Sequence, residues 1–143
     1  MQLSKRTQYG IRALVCFADA YEQGHLGARE LSKRERLPTK FMESILNSLT
    51  RGRFLDSRKG AFGGYRLARP PEQITLAEII ERLETTRLLD AQESSANERP
   101  GETAFRLIED RLALAAREVF QKTTLAQLAA DIALAGGGQM YYI

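Results

Sequence analysis

The chain has one cysteine, Cys16, one histidine, His25, and no tryptophan. A single cysteine excludes an intramolecular disulfide and a CxxC metal motif. No apolar run approaches the roughly 18 residues of a membrane-spanning helix. Arg12 and Asp19 interrupt the apolar stretch after the basic N-terminus, so it does not resemble a signal peptide. No nucleophile–histidine or paired-carboxylate arrangement indicates an enzyme. These absences predict a cytoplasmic protein without a membrane segment or a catalytic centre.

Charge of both signs is present, but it is distributed unevenly. The 143 residues carry a formal net charge of +3. Residues 1–70 hold fourteen Lys/Arg against six Asp/Glu, which gives +8, whereas residues 71–143 hold seven against twelve, which gives −5. Such asymmetry favours a polyanionic partner for the first half. A solvated basic surface with no nucleic-acid partner is the alternative.

Hydrophobic periodicity predicts helices in the first half of the chain, over residues 4–21 and 28–36 and from Pro38 to about 51. The second and third of these are separated by a tight turn, which is the spacing of a helix-turn-helix. Two short strands, 54–57 and 64–68, are predicted to form a hairpin whose loop is basic and rich in glycine. Thr75 and Glu78 then have the spacing of a capping box, which predicts another helix.

The second half of the chain begins with residues 86–101, where periodicity is lost and a linker is predicted. Between residues 102 and 121, apolar residues recur at alternating steps of three and four. This apolar seam consists of Phe105, Ile108, Leu112, Ala115 and Val119. We interpret it as a dimer interface, with an intramolecular packing face as the alternative. A short helix capped by Thr124 should end near residue 135, and residues 136–143 should form a tail.

Three stretches carry a resemblance to a known family: "GGYRLARPPEQITLAEIIERLE", "MQLSKRTQYGIRAL" and "TLAQL". Together they resemble the Rrf2-type winged-helix transcriptional regulators of bacteria, over residues 1 to about 130. The resemblance implies a mainly α fold with a small β-hairpin, in which residues 1–85 form a winged helix-turn-helix domain and residues 102–135 contain a long dimerisation helix. It also implies a homodimeric transcription factor that binds double-stranded DNA. Twofold symmetry of the protein predicts a pseudo-palindromic operator, and we expect the regulator to be a repressor.

The residues expected to contact DNA lie at the start and end of the third helix and in the hairpin loop, or wing. They are Thr39, Lys40, Phe41, Glu43, Ser44, Arg51, Arg58, Lys59 and Gly60. Lysine and arginine suit phosphates, and a carboxylate such as Glu43 can accept a hydrogen bond from the N4 amine of cytosine. Lys59 stands where the family pattern usually has an arginine, which fits a narrow minor groove better. Phe41 as a core residue and Glu43 as a plain surface acid are the alternatives.

The main departure from the family concerns its cofactor. Family members that sense iron–sulfur status or nitric oxide carry three cysteines in the loop before the dimerisation helix, whereas residues 86–104 contain none. One cysteine and one histidine do not make up four cluster ligands, so we predict that the protein has no cofactor. Replacement of former cysteines at positions such as 94, 95 or 96 is the alternative.

Without a cluster, the signal must enter in another way. Cys16 is a candidate redox residue because Lys5, Arg6 and Arg12 are close in sequence, although a free cysteine on a helix is commonly a small buried hydrophobe. A small molecule or a partner protein is the other candidate effector. A second function also stays open, in which the same fold binds an acidic protein in place of DNA.

Overall fold

A computed structural model of the chain describes residues 2–85 and 93–140, with the backbone alone for 137–140. Three helices come first: α1 (Lys5–Asp19), α2 (Ala28–Glu35) and α3 (Thr39–Arg51). Ser4 caps α1, since its hydroxyl accepts a hydrogen bond from the N–H of Thr7 at 3.2 Å. All three helices lie within two residues of their predicted ends.

The turn between α2 and α3 contains only three residues. Arg36 leaves α2 in the left-handed conformation, with φ of 56°. The N–H of Leu37 donates back to the carbonyl of Ser32 at 2.9 Å. Pro38 then starts α3, since its carbonyl accepts from the N–H of Met42 at 3.0 Å. The predicted helix-turn-helix is therefore present.

The wing is an antiparallel hairpin of β1 (Leu55–Arg58) and β2 (Gly64–Leu67). Its strands end within one residue of the predicted positions. The loop between α1 and α2 adds a bridge to the wing: the N–H of Leu26 donates to the carbonyl of Tyr65 at 2.8 Å, and the N–H of Tyr65 donates back at 2.9 Å. The base of the wing is thus hydrogen-bonded to the helical part.

A 3-10 turn (Pro71–Gln73) leads into α4 (Leu76–Leu83), which begins with the predicted capping box. The N–H of Thr75 donates to the carboxylate of Glu78 at 2.9 Å, and the hydroxyl of Thr75 accepts from the N–H of Glu78 at 3.3 Å. Partial burial opposes ionisation of Glu78, but the hydrogen bonds from Thr75 and the charge of Arg69 outweigh it, so the pKa of Glu78 is lowered.

Two helices complete the chain: α5 (Pro100–Lys122) and α6 (Leu125–Met140). The end predicted for the last helix, at the glycines from 136, is wrong, since α6 continues to Met140. Glycine disfavours a helix by about 1 kcal/mol but leaves its hydrogen-bond ladder intact, so it does not by itself end one. Residues 86–92 of the predicted linker and 141–143 of the predicted tail lie outside the described residues.

The core joins both halves of the chain. It contains buried side chains from α1, α2, α3, α4 and the wing, and Leu125 at the start of α6 is also completely buried in it. The N–H of Leu125 donates to the carbonyl of Ile74 at 2.8 Å, and the N–H of Leu76 donates to Thr123 at 2.9 Å. The junction of α5 and α6 therefore packs on the winged part. Within the described part of the chain, no helix is long and apolar enough to cross a membrane.

Candidate nucleic-acid interface

The buried face of α3 determines which of its residues meet solvent. Met42, Ile45, Leu46 and Leu49 are all completely buried. On the other side lies an exposed stripe that consists of Thr39, Lys40, Glu43, Ser44, Asn47 and Arg51. These positions share one face of a helix with 3.6 residues per turn, and the stripe is about 18 Å long. The structure therefore brings five of the predicted residues together on one surface, together with Asn47.

Phe41 lies at the border between the buried face and the exposed stripe. Its half-buried ring packs edge-to-face against Tyr9 of α1, with 5.5 Å between ring centroids and an angle of 83°. Such a pair stabilises the packing of α1 on α3. These contacts favour the interpretation of Phe41 as a core residue, and its contact with DNA stays a prediction.

One cation beside the stripe was missed in the sequence. Arg6 of α1 donates from Nη1 to the hydroxyl of Ser44 at 3.3 Å. Its guanidinium therefore lies next to the first turns of α3. The two residues are 38 positions apart, and they meet only because α1 packs across α3. Nothing local in the sequence distinguishes Arg6 from the other basic residues of α1.

The predicted basic residues keep their charge unpaired. Lys40, Arg51, Arg58 and Lys59 are exposed and make no ion pair with any residue that the structure describes. Three other arginines of the basic half are paired with glutamates instead: Arg12–Glu35, Arg34–Glu30 and Arg69–Glu78. Exposed cations without an ion pair attract an anionic partner.

Glycines set the shape of the wing. Gly60 has φ of 110° and Gly64 has φ of 135°, a conformation that other residues rarely adopt. A Cβ atom on Gly64 would also lie 2.7 Å from the carbonyl of Leu26. Gly64 is thus required by the close approach of the wing to the α1–α2 loop, and Gly60 is required by the turn at the tip.

The wing and α3 form one continuous surface. Strand β1 follows α3 directly, and Phe54 between them is buried, with its N–H donating to the carbonyl of Leu49 at 3.0 Å. From β2, the hydroxyl of Tyr65 donates to Oδ1 of Asn47 in the exposed stripe at 3.5 Å. The stripe and the wing are therefore held in a fixed relation, as simultaneous contacts with one partner require.

A second candidate surface lies on α5. The large side chains of the apolar seam, Phe105, Ile108, Leu112 and Val119, are 54–65% exposed, and Ala115 between them is exposed as well. The five positions share one face of the helix, as predicted. A row of exposed apolar side chains of this length is typical of an interface with another chain.

The surroundings of Cys16 do not favour a reactive thiol. The half-buried side chain donates from Sγ to Oε1 of Glu35 at 3.2 Å. Burial and the neighbouring carboxylate raise the pKa of Cys16 to about 12. Arg12 is paired with Glu35 at 2.9 Å. Since the thiolate is the reactive form, these surroundings favour the protonated, less reactive thiol at neutral pH.

The residues present do not fit a cysteine-ligated cluster. Cys16, the one cysteine of the sequence, is hydrogen-bonded to Glu35 and strongly favours its protonated form. Among residues 2–85 and 93–140, no three His, Cys, Asp or Glu side chains are grouped so that they could hold a metal ion.

A helix-turn-helix with a wing, both carrying unpaired cations, defines a winged-helix DNA-binding regulator of transcription. Residues 3–131 match the Rrf2 family model, which is described as an iron-dependent transcriptional regulator. The chain belongs to the Rrf2 family, whose members are regulators and not enzymes.

Relatives and solved structures agree with this family. The chain is 28% identical to the transcriptional regulator CymR of Bacillus subtilis over 143 residues, which cover all of both chains. It is 36% identical to IscR of Cereibacter sphaeroides over 88 residues, or 60% of this chain and 57% of IscR. The latter match therefore spans less than two thirds of the relative. The structure of CymR from B. subtilis superposes with a TM-score of 0.79 over 91% of this chain and 97% of CymR, at 28% identity.

Alkylation of Cys16 by iodoacetamide at pH 8 should be at least about a hundredfold slower than that of free cysteine, because so little thiolate is present. Glu35→Gln removes the carboxylate that opposes ionisation and should speed the reaction about tenfold. In urea both proteins should react at the rate of free cysteine, which controls for the chemistry of the thiol itself. A native rate within about threefold of free cysteine would contradict the assignment of an inert thiol.

Proposed function

We propose that the protein is a homodimeric repressor that binds a pseudo-palindromic operator without the help of an iron–sulfur cluster. The observation that carries DNA binding is the set of unpaired cations on the exposed stripe of α3 and on the wing. The exposed stripe of α3 would lie in a major groove, where Glu43 and Ser44 can reach base edges. Arg58, Lys59 and Gly60 would meet the backbone or the minor groove alongside.

Repression would follow from occupancy, since a dimer seated on promoter DNA blocks polymerase from the same segment. The operator is chromosomal DNA, so we place the protein in the cytoplasm of a bacterial cell. A small molecule or a partner protein would supply the signal by binding the DNA-competent and DNA-incompetent forms unequally. The inert surroundings of Cys16 make thiol oxidation the weaker route.

Salt dependence tests the DNA surface. On a duplex selected from random sequence, the affinity should fall with salt at a log–log slope of about −0.9 per neutralised phosphate. Lys40→Ala and Lys59→Ala should each flatten that slope by roughly one phosphate per subunit. Fluorescence anisotropy at several potassium chloride concentrations measures both effects.

Glu43→Ala is the matched control on the same helix, because it removes a charge that contacts no phosphate. It should leave the slope unchanged or steeper and should relax the preferred sequence at one position of each half-site. Equal losses on every duplex would argue against base contact by Glu43. If the wild-type protein binds no duplex even in dilute buffer, the DNA proposal is wrong and an acidic protein partner becomes the better one.

The dimer is proposed from the apolar seam of α5. The large seam side chains are more than half exposed in the single chain, and a twin helix would cover them in the manner of a short coiled coil. Twofold symmetry of the protein would then match twofold symmetry of the operator, with half-sites spaced by whole helical turns. Residues 1–85 would be the DNA-binding unit and α5 the dimerisation unit.

Leu112→Glu should convert the protein to a monomer, because it places two like charges in the middle of the apolar seam. Loss of the twin subunit should also weaken operator binding by about 100-fold or more through lost avidity. Gln121→Glu adds the same charge on the opposite face of α5, where residue 121 is exposed, and should leave both properties unchanged. Light scattering measures the molecular mass of each variant. If the Leu112→Glu protein is still a dimer, the apolar seam is not the dimer interface.

We propose that the protein works without an iron–sulfur cluster because the whole sequence contains one cysteine, which cannot supply the ligands of a cluster. Protein purified without air should lack visible absorption bands above 300 nm, since iron–sulfur centres absorb there through their thiolate ligands. Its affinity for the selected duplex should be the same with and without an iron chelator. Visible bands that disappear on chelation, with a change in DNA affinity, would overturn this part of the proposal.

A further inference from the structure

The tip of the wing carries an apolar side chain that no residue described in the structure covers. Phe62 is 93% exposed, more than any other large hydrophobic side chain that the structure describes. It has no aromatic or cation–π partner among the described residues. A phenylalanine ring is unfavourable in water, so a partner that covers it gains hydrophobic stabilisation. Its position at a loop apex leaves its apolar surface accessible to another molecule.

The loop holds this ring at a defined position. The N–H of Gly63 donates to the carbonyl of Gly60 at 3.0 Å, which closes a four-residue turn with Ala61 and Phe62 at its apex. Gly60 adopts φ of 110°, and Gly64 is fixed by its close approach to Leu26. The ring therefore projects from a short, closed turn whose base is hydrogen-bonded to the helical part.

The charged residues around Phe62 indicate which kind of partner its ring contacts. Arg58 and Lys59 precede it, and Arg66 follows on β2; all three are exposed and without an ion pair in the described chain. An apolar tip set among unpaired cations is complementary to a partner with anions outside and flat apolar surfaces inside. A DNA duplex has this arrangement, with phosphates at the rim of each groove and stacked bases beneath.

We propose that Phe62 acts as a wedge that enters a base step of the minor groove next to each half-site. Apolar side chains of this kind partly unstack a step and bend the duplex. Unstacking costs least at pyrimidine–purine steps such as TA and CA. Phe62 would therefore add sequence preference at positions that α3 does not reach. The inference rests on the proposed binding of DNA, and it assigns a specificity role to a residue outside the basic set.

The experiment uses the full-length protein and duplexes selected from random DNA by the wild-type protein. The operators should contain a pyrimidine–purine step at a constant distance outside each half-site. With 2-aminopurine at that step, binding of wild-type protein should raise the fluorescence at least twofold, because the probe brightens on unstacking. Phe62→Ala should abolish the rise, weaken binding about five- to twentyfold, and relax the selected sequence at that step. Phe62→Leu, which keeps an apolar wedge, should retain most of each effect.

The controls separate this inference from the proposed function. Phe62→Ala removes no charge, so its salt slope should equal that of the wild type, whereas Lys59→Ala should flatten the slope. Both variants should keep the wild-type melting temperature because both residues are exposed. If Lys59→Ala flattens the slope while Phe62→Ala changes neither fluorescence nor selection, the wedge is wrong and DNA binding stands. If the wild type binds no duplex in dilute buffer, both proposals fail together.

Discussion

The packing of α3 into the core is the constraint on which the rest of the interface depends. Met42, Ile45, Leu46 and Leu49 are completely buried, so the rotation of the helix about its own axis is fixed. A helix free to rotate by one residue, or about 100°, would turn Lys40 and Glu43 away from solvent. The buried face of α3 thus determines which residues form the exposed stripe. A substitution in the core can therefore alter the interface although the substituted residue is not part of it.

The base of the wing is a second constraint of the same kind. The hydrogen bonds between Leu26 and Tyr65 connect β2 to the loop after α1, and that close approach leaves no room for a side chain at Gly64. The paired glycines of the wing look, in the sequence, like a device for a flexible loop. In the structure Gly64 instead restricts the hairpin, because the absence of a side chain lets β2 pack closely against the α1–α2 loop. A wing fixed at its base can present Arg58 and Lys59 at a constant distance from α3.

Most of this fold could be predicted from local patterns. Periodicity gave the helices, and the spacing of Thr75 and Glu78 correctly predicted a cap. The exposed stripe also followed, because the buried and exposed positions of one helix determine each other. What could not be predicted depends on contacts between distant segments. Arg6 lies beside Ser44, and Leu125 enters the core, although no pattern within either segment indicates its partner.

The reactivity of Cys16 also depends on contacts between segments that are distant in the sequence. Basic neighbours in sequence suggested a thiolate, but helical geometry and packing decide which groups are neighbours in space. Glu35 reaches the thiol from α2, and its carboxylate is itself paired with Arg12. A positive charge that is already neutralised by a carboxylate does little for a nearby thiol, whereas the carboxylate and burial both oppose ionisation. These contacts favour the alternative interpretation of Cys16 as a small, partly buried side chain, and its redox role stays a prediction.

Helix α5, the longest helix that the structure describes, contributes no buried residue to the core. A helix of 23 residues in a globular protein normally depends on a packed apolar face, because propensity alone stabilises it only marginally in water. Helix α5 has such a face in the apolar seam, but within the described chain nothing covers it. Its C-terminal end is anchored through the hydrogen bond from Leu76 to Thr123 and through Phe120, which packs against the core. A helix anchored at one end, with an exposed apolar face, is what a subunit needs when its partner supplies the other half of a shared core. In the proposed dimer, the same anchor would place the shared core next to α4, so the position of a twin subunit and the spacing of the two DNA-binding surfaces would be set together.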